Sequence, residues 1–182
     1  MMPTEKAWEI LDNADLVCNA ESVNEAIRRM AREITVSLKD RYPLMLAVMG
    51  GSVFFAGQLL PQLRFPLDFD YIHATRYGVD TNGGEVVWKV EPQENVADRN
   101  VLVVDDILDG GDTLAAIRER ILERGAASFQ CAVLTDKHTG RKKPILPDYM
   151  GLKLPNRYVF GCGMDVAGAW RNLPAIYAVK CP

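Results

Sequence analysis

Apolar side chains recur at helical spacing early in the chain. Val23, Ala26, Ile27, Met30, Ala31, Ile34 and Leu38 fall on one stripe, which predicts an amphipathic helix over 22–41. Ser22 and Glu25 have the spacing of a capping box at its start. Tyr42-Pro43 closes it, because the residue ahead of a proline is driven out of the α region. The pattern then becomes a continuous apolar run over 44–49, too short for a helix and typical of a strand buried on both faces. Gly50-Gly51-Ser52 interrupts it, and a second helix is expected over 53–63. Segment 66–74 alternates Leu67, Phe69 and Tyr71 with Asp68 and Asp70, which reads as a strand whose aspartate face is the wetter one. The polar stretch 76–84 has no period and is expected to be a mobile loop, and 85–90 is a short strand. Apolar runs at 101–104 and 129–134 flank a helix over 112–123, with Leu114, Ile117, Ile121 and Leu122 inward and Gly125 just past its end.

Strand, helix and strand in this repeated order predict an α/β protein: an open parallel sheet with helices on both faces. Beyond Thr135 the period is lost. A basic loop (Lys137, Arg141, Lys142, Lys143) precedes short strands near Tyr149, at 158–160 and at 176–179, expected to form a lid or edge rather than core. With 182 residues, 48% hydrophobic and 25% charged, the chain reads as one globular domain, 1–182. A net charge of −3 provides no long-range field for a polyanion, which argues against a dedicated nucleic-acid binder. No apolar run approaches the roughly 20 residues that span a bilayer. The start, MMPTEKAWEILD, lacks the basic-then-apolar order of a signal peptide. Cys18, Cys131, Cys162 and Cys181 form no CxxC pair and have only two histidines to help them. They argue against zinc and for reduced thiols in a cytoplasmic protein.

The candidate chemistry lies in V-L-V-V-D-D-I-L-D-G-G-D-T-L, 101–114. Asp105 and Asp106 stand at the carboxyl end of a buried strand, where open α/β sheets bind ligands. Asp109 follows, and Gly110-Gly111-Asp112-Thr113 opens a helix whose N-terminal amides suit a phosphate. A phosphate cradle beside a cluster of acids fits a ligand that carries phosphate together with Mg²⁺ or a diol. The bland alternative is a strand-to-helix turn with a capping acid. Two adjacent carboxylates weigh against it, because they repel one another unless something positive joins them. Response-regulator receiver domains also end a strand in paired acids. That strand opens their fold, however, whereas here a hundred residues precede it.

The same run resembles the phosphoribosyl-pyrophosphate signature of the type I phosphoribosyltransferases, and the rest of the chain resembles their hypoxanthine-guanine branch. V-M-G-G-S-V-F-F (48–55) occupies the place of the pyrophosphate loop, and L-D-F-D-Y-I-H-A-T-R-Y-G leads into the flexible loop. V-L-T-D-K-H-T (133–139) matches the strand ending in a purine-binding lysine. N-R-Y-V-F-G-C-G-M-D (156–165) matches the segment with the stacking aromatic and a metal-binding acid, and W-R-N-L-P follows with its arginine. The motifs run in order from about 23 to 179.

The resemblance implies the type I phosphoribosyltransferase fold with a small hood from about 1–21 and 150–182. It implies transfer of the 5-phosphoribosyl group from phosphoribosyl pyrophosphate (PRPP) to N9 of hypoxanthine or guanine, giving IMP or GMP and pyrophosphate. Asp105 and Asp106 would hold the ribose diol and Mg²⁺, with Asp165 reaching a second metal. Asp109 would be the base near purine N7, and Gly110, Gly111, Asp112 and Thr113 would cradle the 5′-phosphate. Gly50, Gly51 and Arg171 would bind pyrophosphate, the loop through a cis peptide. Lys137 would donate to the 6-oxo group, Tyr158 would stack on the base, and Val159 and Asp165 would face its 2-position. Arg76 and Tyr77 would belong to the flexible loop, and a homodimer or homotetramer is expected, with no nucleic acid or membrane partner.

The chain departs from the family pattern at four places. Asp105 stands where Glu is common, Gly110 where Thr or Ser is usual, Gly50 where Lys or Arg is frequent, and Arg76-Tyr77 where Ser-Tyr is usual. Arg76 is therefore expected to bring a replacement cation over pyrophosphate. Two alternatives stay open on the sequence: a xanthine- or guanine-preferring relative, and a non-catalytic nucleotide sensor of the same fold that binds RNA.

Overall fold

The apolar runs become neighbouring strands. In the computed structural model, which describes residues 2–76 and 86–180, β2 (Leu44–Val48), β5 (Asn100–Leu108) and β6 (Ser128–Lys137) lie parallel at the centre of a six-stranded sheet. β3 (Asp68–Arg76) and the antiparallel β4 (Val86–Val90) extend one side and β7 (Tyr149–Leu154) the other, in the order β4-β3-β2-β5-β6-β7. Successive strand residues point to opposite faces. Met45, Ala47, Leu102, Val104, Ala132 and Leu134 meet α2 (Ala20–Leu38) and α3 (Val53–Leu59). Leu44, Leu46, Val48, Val101, Val103 and Val133 meet Leu114, Ile117 and Ile121 of α4 (Asp112–Glu123). A strand with every position buried needs helices on both sides, and that is the arrangement found.

Several sequence expectations are corrected in detail. Helix α2 starts two residues early, because the Asn19 side chain accepts the Ser22 amide at 2.9 Å and takes the N-cap role assigned to Ser22. Asn19→Ala should therefore cost about 1 kcal/mol, read as a melting temperature lower by about 2–4 °C in a chain of this size. The same helix stops at Leu38, ahead of the Tyr42-Pro43 boundary. The helix expected over 53–63 is α-helical only to Leu59. Pro61, which has no amide to donate, sits in a 3-10 turn, Leu60–Gln62.

On β3 the wet and dry faces are the reverse of the alternation read from sequence. Asp70 is buried, accepting the amides of Gln93 at 2.7 Å and Glu94 at 3.1 Å, while Phe69 and Tyr71 are exposed. A carboxylate satisfied by backbone amides tolerates the interior. Leu122, read as inward, is exposed. The loop expected at 76–84 lies outside the described residues, apart from Arg76 at the end of β3.

A second sheet joins the two ends of the chain. β1 (Asp15–Cys18), β9 (Ile176–Ala178) and β8 (Val159–Phe160) pair antiparallel in the order β1-β9-β8. The tail contributes more than an edge, since Phe160, Ile176 and Ala178 are fully buried. Ahead of β1, α1 (Thr4–Asp12) buries no residue of its own. It is tied down where Trp170 Nε1 donates to Ala7 O at 2.9 Å and the Trp8 and Trp170 rings meet edge-on at 4.9 Å. Among the described residues no helix is long and apolar enough to cross a membrane.

Candidate active site

The parallel strands β2, β5 and β6 end on one edge of the sheet, and the residues that follow them converge there. β5 continues in register with β6 as far as Leu108 opposite Asp136, so Asp105 and Asp106 lie within the strand, near its carboxyl end. Asp105 Oδ1 accepts the Asp106 amide at 2.9 Å. Burial pushes the Asp105 carboxyl well above the usual carboxylate range, the Asp106 charge and side-chain hydrogen bond add to it, and the Asp106 amide opposes it. Asp106 is raised by burial and held back by its hydrogen bond with Asp105 and by the Arg171 charge. Both carboxyls are thus raised chiefly because they are buried, and crowding adds to it at Asp105. Mg²⁺ is bound through one or two carboxylates plus substrate phosphates, so this pair fits that ion without a protein cage. Among the described residues no cluster of three metal-ligating side chains occurs.

Glycines let the backbone close around these acids. The Met49–Gly50 peptide is cis, in the turn after β2. A Cβ on Gly51 would stand 2.0 Å from Asp106 Oδ2, so only glycine lets that turn lie against the carboxylate. The segment after β8 lies against the same turn, where a Cβ on Gly163 would stand 1.9 Å from Gly51 O. Within that segment Gly163 donates to Arg171 O at 2.9 Å, and Arg171 Nη1 donates back to Gly163 O at 2.6 Å. Arg171 Nη2 also pairs with Asp165 Oδ1 at 2.5 Å, and Asp165 Oδ2 accepts the Gly168 amide at 2.7 Å.

Two adjoining cavities result. One of about 380 Å³ is lined by Gly50, Gly51, Asp105, Asp106, the Asp109-Gly110-Gly111 turn and Thr113. There α4 makes its first backbone bond from Ala115 N to Gly111 O at 2.9 Å, leaving the Thr113 end of the helix facing the cavity. The other, about 200 Å³, is lined by Lys137, Tyr158, Val159, Met164 and Asp165. Asp106, Ile107, Asp109 and Arg171 line both. At their junction Lys137 Nζ pairs with Asp109 Oδ2 at 2.9 Å. Tyr158 is 58% exposed, its ring facing the smaller cavity rather than the core.

Residues 18–167 match the phosphoribosyl transferase domain family. The chain belongs to that family. It is 36% identical over 163 residues to the hypoxanthine-guanine-xanthine phosphoribosyltransferase of Tritrichomonas foetus, covering 89% of each chain. It is 31% identical over 170 residues to the hypoxanthine-guanine phosphoribosyltransferase of Bacillus subtilis, covering 93% of this chain and 94% of that one. It superposes on a Trypanosoma cruzi hypoxanthine phosphoribosyltransferase, solved as a ternary substrates complex, with a TM-score of 0.85 at 28% identity, covering 93% and 97%. The protein is thus a type I phosphoribosyltransferase of the hypoxanthine-guanine branch, with the mostly parallel sheet and two-sided helices that the sequence implied.

Of the residues marked on this phosphoribosyltransferase from sequence, the strand-end acids, the glycine turns, Thr113, Lys137, Tyr158, Val159, Asp165 and Arg171 all line the joined cavities. The side chain of Arg76 and the whole of Tyr77 lie outside the described residues. Among the polar residues lining the two cavities one was missed, and one loop lysine outside them is buried. His73, on β3, lines the larger cavity; it is one of two histidines, and its place three residues short of the loop was the available signal. Lys143, placed in the basic loop, has a side chain only 9% exposed. Nothing in the local pattern marks it.

Proposed function

We propose that this phosphoribosyltransferase transfers the 5-phosphoribosyl group of PRPP to N9 of hypoxanthine and guanine, forming IMP or GMP and pyrophosphate. The observation that carries the reading is the Lys137–Asp109 pair at the junction of the two cavities. A 6-oxopurine presents O6 and N7 side by side on one edge. An ammonium suits the oxo group and a carboxylate suits an N7 proton, so the pair reads that edge and disfavours adenine, whose 6-amino group would meet a cation.

The sugar then lies in the larger cavity. Asp105 and Asp106 hold the diol, and the Gly110-Gly111-Asp112-Thr113 turn holds the 5′-phosphate with amides at a helix N-terminus. Asp105 and Asp106 would also hold Mg²⁺, which when bound would supply positive charge against the departing pyrophosphate. Loss of pyrophosphate leaves an oxocarbenium-like sugar, and Asp109 takes the N7 proton as the N9 lone pair attacks C1′. Arg171 exchanges Asp165 for pyrophosphate, which its planar fork can grip at two points, beside the Gly50-Gly51 turn. Asp165 is then released to face the purine's 2-position with Val159, or to reach a second metal. Arg76 and Tyr77 are assigned to the loop over pyrophosphate. The small sheet formed by β1, β8 and β9 is assigned as the hood of a single domain, and a homodimer or homotetramer as its assembly.

The Tritrichomonas foetus relative carries xanthine in its name, which makes xanthine a third candidate acceptor. The relatives are named as enzymes, which favours catalysis over the sensor alternative. Incubation with PRPP, Mg²⁺ and each of hypoxanthine, guanine, xanthine and adenine tests the proposal. IMP and GMP are the expected products, with little or no AMP. Failure of every 6-oxopurine to yield a nucleotide would overturn it.

A further inference from the structure

Lys143 occupies an unusual position for a lysine in a basic loop. Its Nζ donates to Leu108 O at 2.7 Å, to Lys137 O at 2.7 Å and to Asp136 Oδ1 at 2.5 Å. An ammonium has three donors, and all three are used. The acceptors are not scattered. Leu108 is the residue directly before Asp109, the Lys137 carbonyl belongs to the purine-facing lysine itself, and Asp136 precedes it.

The strand ladder explains why such a pin is needed. Leu108 opposite Asp136 is the last register pair between β5 and β6. Beyond it no backbone bond of that ladder holds Asp109 and Lys137 at a set distance. On its other side β6 is held by β7, through Lys137 opposite Leu154 and the His138 amide on Leu154 O at 2.8 Å. The Asp109–Lys137 ion pair cannot serve as its own anchor, because the Asp109 side chain is 55% exposed and ion pairs to exposed carboxylates hold weakly. Among the described residues, the buried ammonium of Lys143 is the group that bonds both strand ends at this point.

We propose that Lys143 is a positioning residue that continues the β5–β6 register by one side chain, fixing the spacing of Asp109 and Lys137 and thereby the grip on the purine edge. This rests on the functional reading above and adds a residue to it. The glycine turn is held by the Ala115 amide on Gly111 O at 2.9 Å and the acid pair by the Thr135 hydroxyl on Asp106 O at 2.9 Å, so the effect is selective for the base.

Lys143→Met keeps the length of the side chain and removes every donor. The expected result is a purine KM raised about tenfold or more, the loss expected when reacting groups drift out of place, with the PRPP KM changed less than about twofold. Asp136→Asn, which keeps the lysine and its two carbonyl bonds, should give a smaller rise in the same constant and serves if the methionine variant does not fold. Calorimetry with GMP should show the same loss without turnover. An unchanged purine KM in the soluble variants, or purine and PRPP constants rising together as in a general loss of structure, would overturn the proposal while leaving the functional reading in place. A wild-type protein that makes no nucleotide would bring down the reading itself, and the proposal with it.

Discussion

Asp105→Asn is expected to lower kcat/KM by about a hundredfold, the scale of losing one charge-stabilising group from an active site, while raising the stability of the ligand-free protein. Both effects come from one cause. The Asp105 carboxyl is pushed well above its ordinary range by burial and then by Asp106, so its charged form is disfavoured in the folded chain. A carboxyl raised in this way contributes most to stability below its unfolded value, and the contribution is lost as pH rises through the raised folded value. Wild-type stability should therefore fall with increasing pH across that window, and the asparagine variant should show a flatter curve. Near neutrality the variant should melt about 3 °C higher, corresponding to about 1 kcal/mol in a chain of this size. The same protonation opposes cations, so Mg²⁺ binding should release a proton and tighten as pH rises. Melting curves over a pH series, with calorimetry in buffers of different ionisation enthalpy, check each part. A variant that melts lower than wild type at every pH would contradict the reading of Asp105 as a buried carboxyl whose charged form is disfavoured.

Gly163→Ala should damage both stability and turnover. Gly163 has φ +101°, and a Cβ there would stand 1.9 Å from the carbonyl oxygen of Gly51, which is backbone and has little freedom to move. Either the segment carrying Asp165 and Arg171 lifts off the Gly50-Gly51 turn, or the turn shifts and takes its contact with Asp106 along. We expect a stability loss of about 3 kcal/mol, the scale of an overpacked interior site, and a turnover loss of about a hundredfold at temperatures where the variant stays folded. Gly168 is the matched control. It also has a left-handed backbone, φ +87°, but nothing lies within 4 Å of the Cβ it would gain. Gly168→Ala should cost only about 1 kcal/mol, the backbone strain alone. Equal losses at the two glycines would show that conformation, and not the approach to Gly51, is what matters.

The central strands were legible because burial on both faces leaves a composition, an unbroken apolar run, that needs no knowledge of partners. Helix α4 was legible for a similar reason: its inward stripe, its acidic start and Gly125 are all local. The strand-end acids and the glycine turn could be read as a site because a parallel sheet presents the ends of its strands to ligands. Other features carried no such trace. Asp70 looked like a solvent-facing residue, since the amides of Gln93 and Glu94 that satisfy it lie more than twenty positions away. β1 is four residues long and exists because β9, from the far end of the chain, pairs with it. Arg157 reaches Asp15 at 2.6 Å across the same join. Lys143 looked like one more lysine in a basic loop until two strand ends closed around its ammonium.

The amino-acid order by itself determined the sheet's middle, the faces of its helices, and the place where acids and a glycine turn meet, because each is written in the pattern of a few adjacent residues. Only the tertiary structure decided that Arg171 rests on Gly163 and Asp165, that Lys137 faces Asp109, and that a buried lysine pins them. Lys137 with Asp109 and Lys143 with Leu108 join positions 28 and 35 apart. Even the nearer contacts of Arg171 draw their energies from burial and shared hydrogen bonds that no single segment possesses before folding.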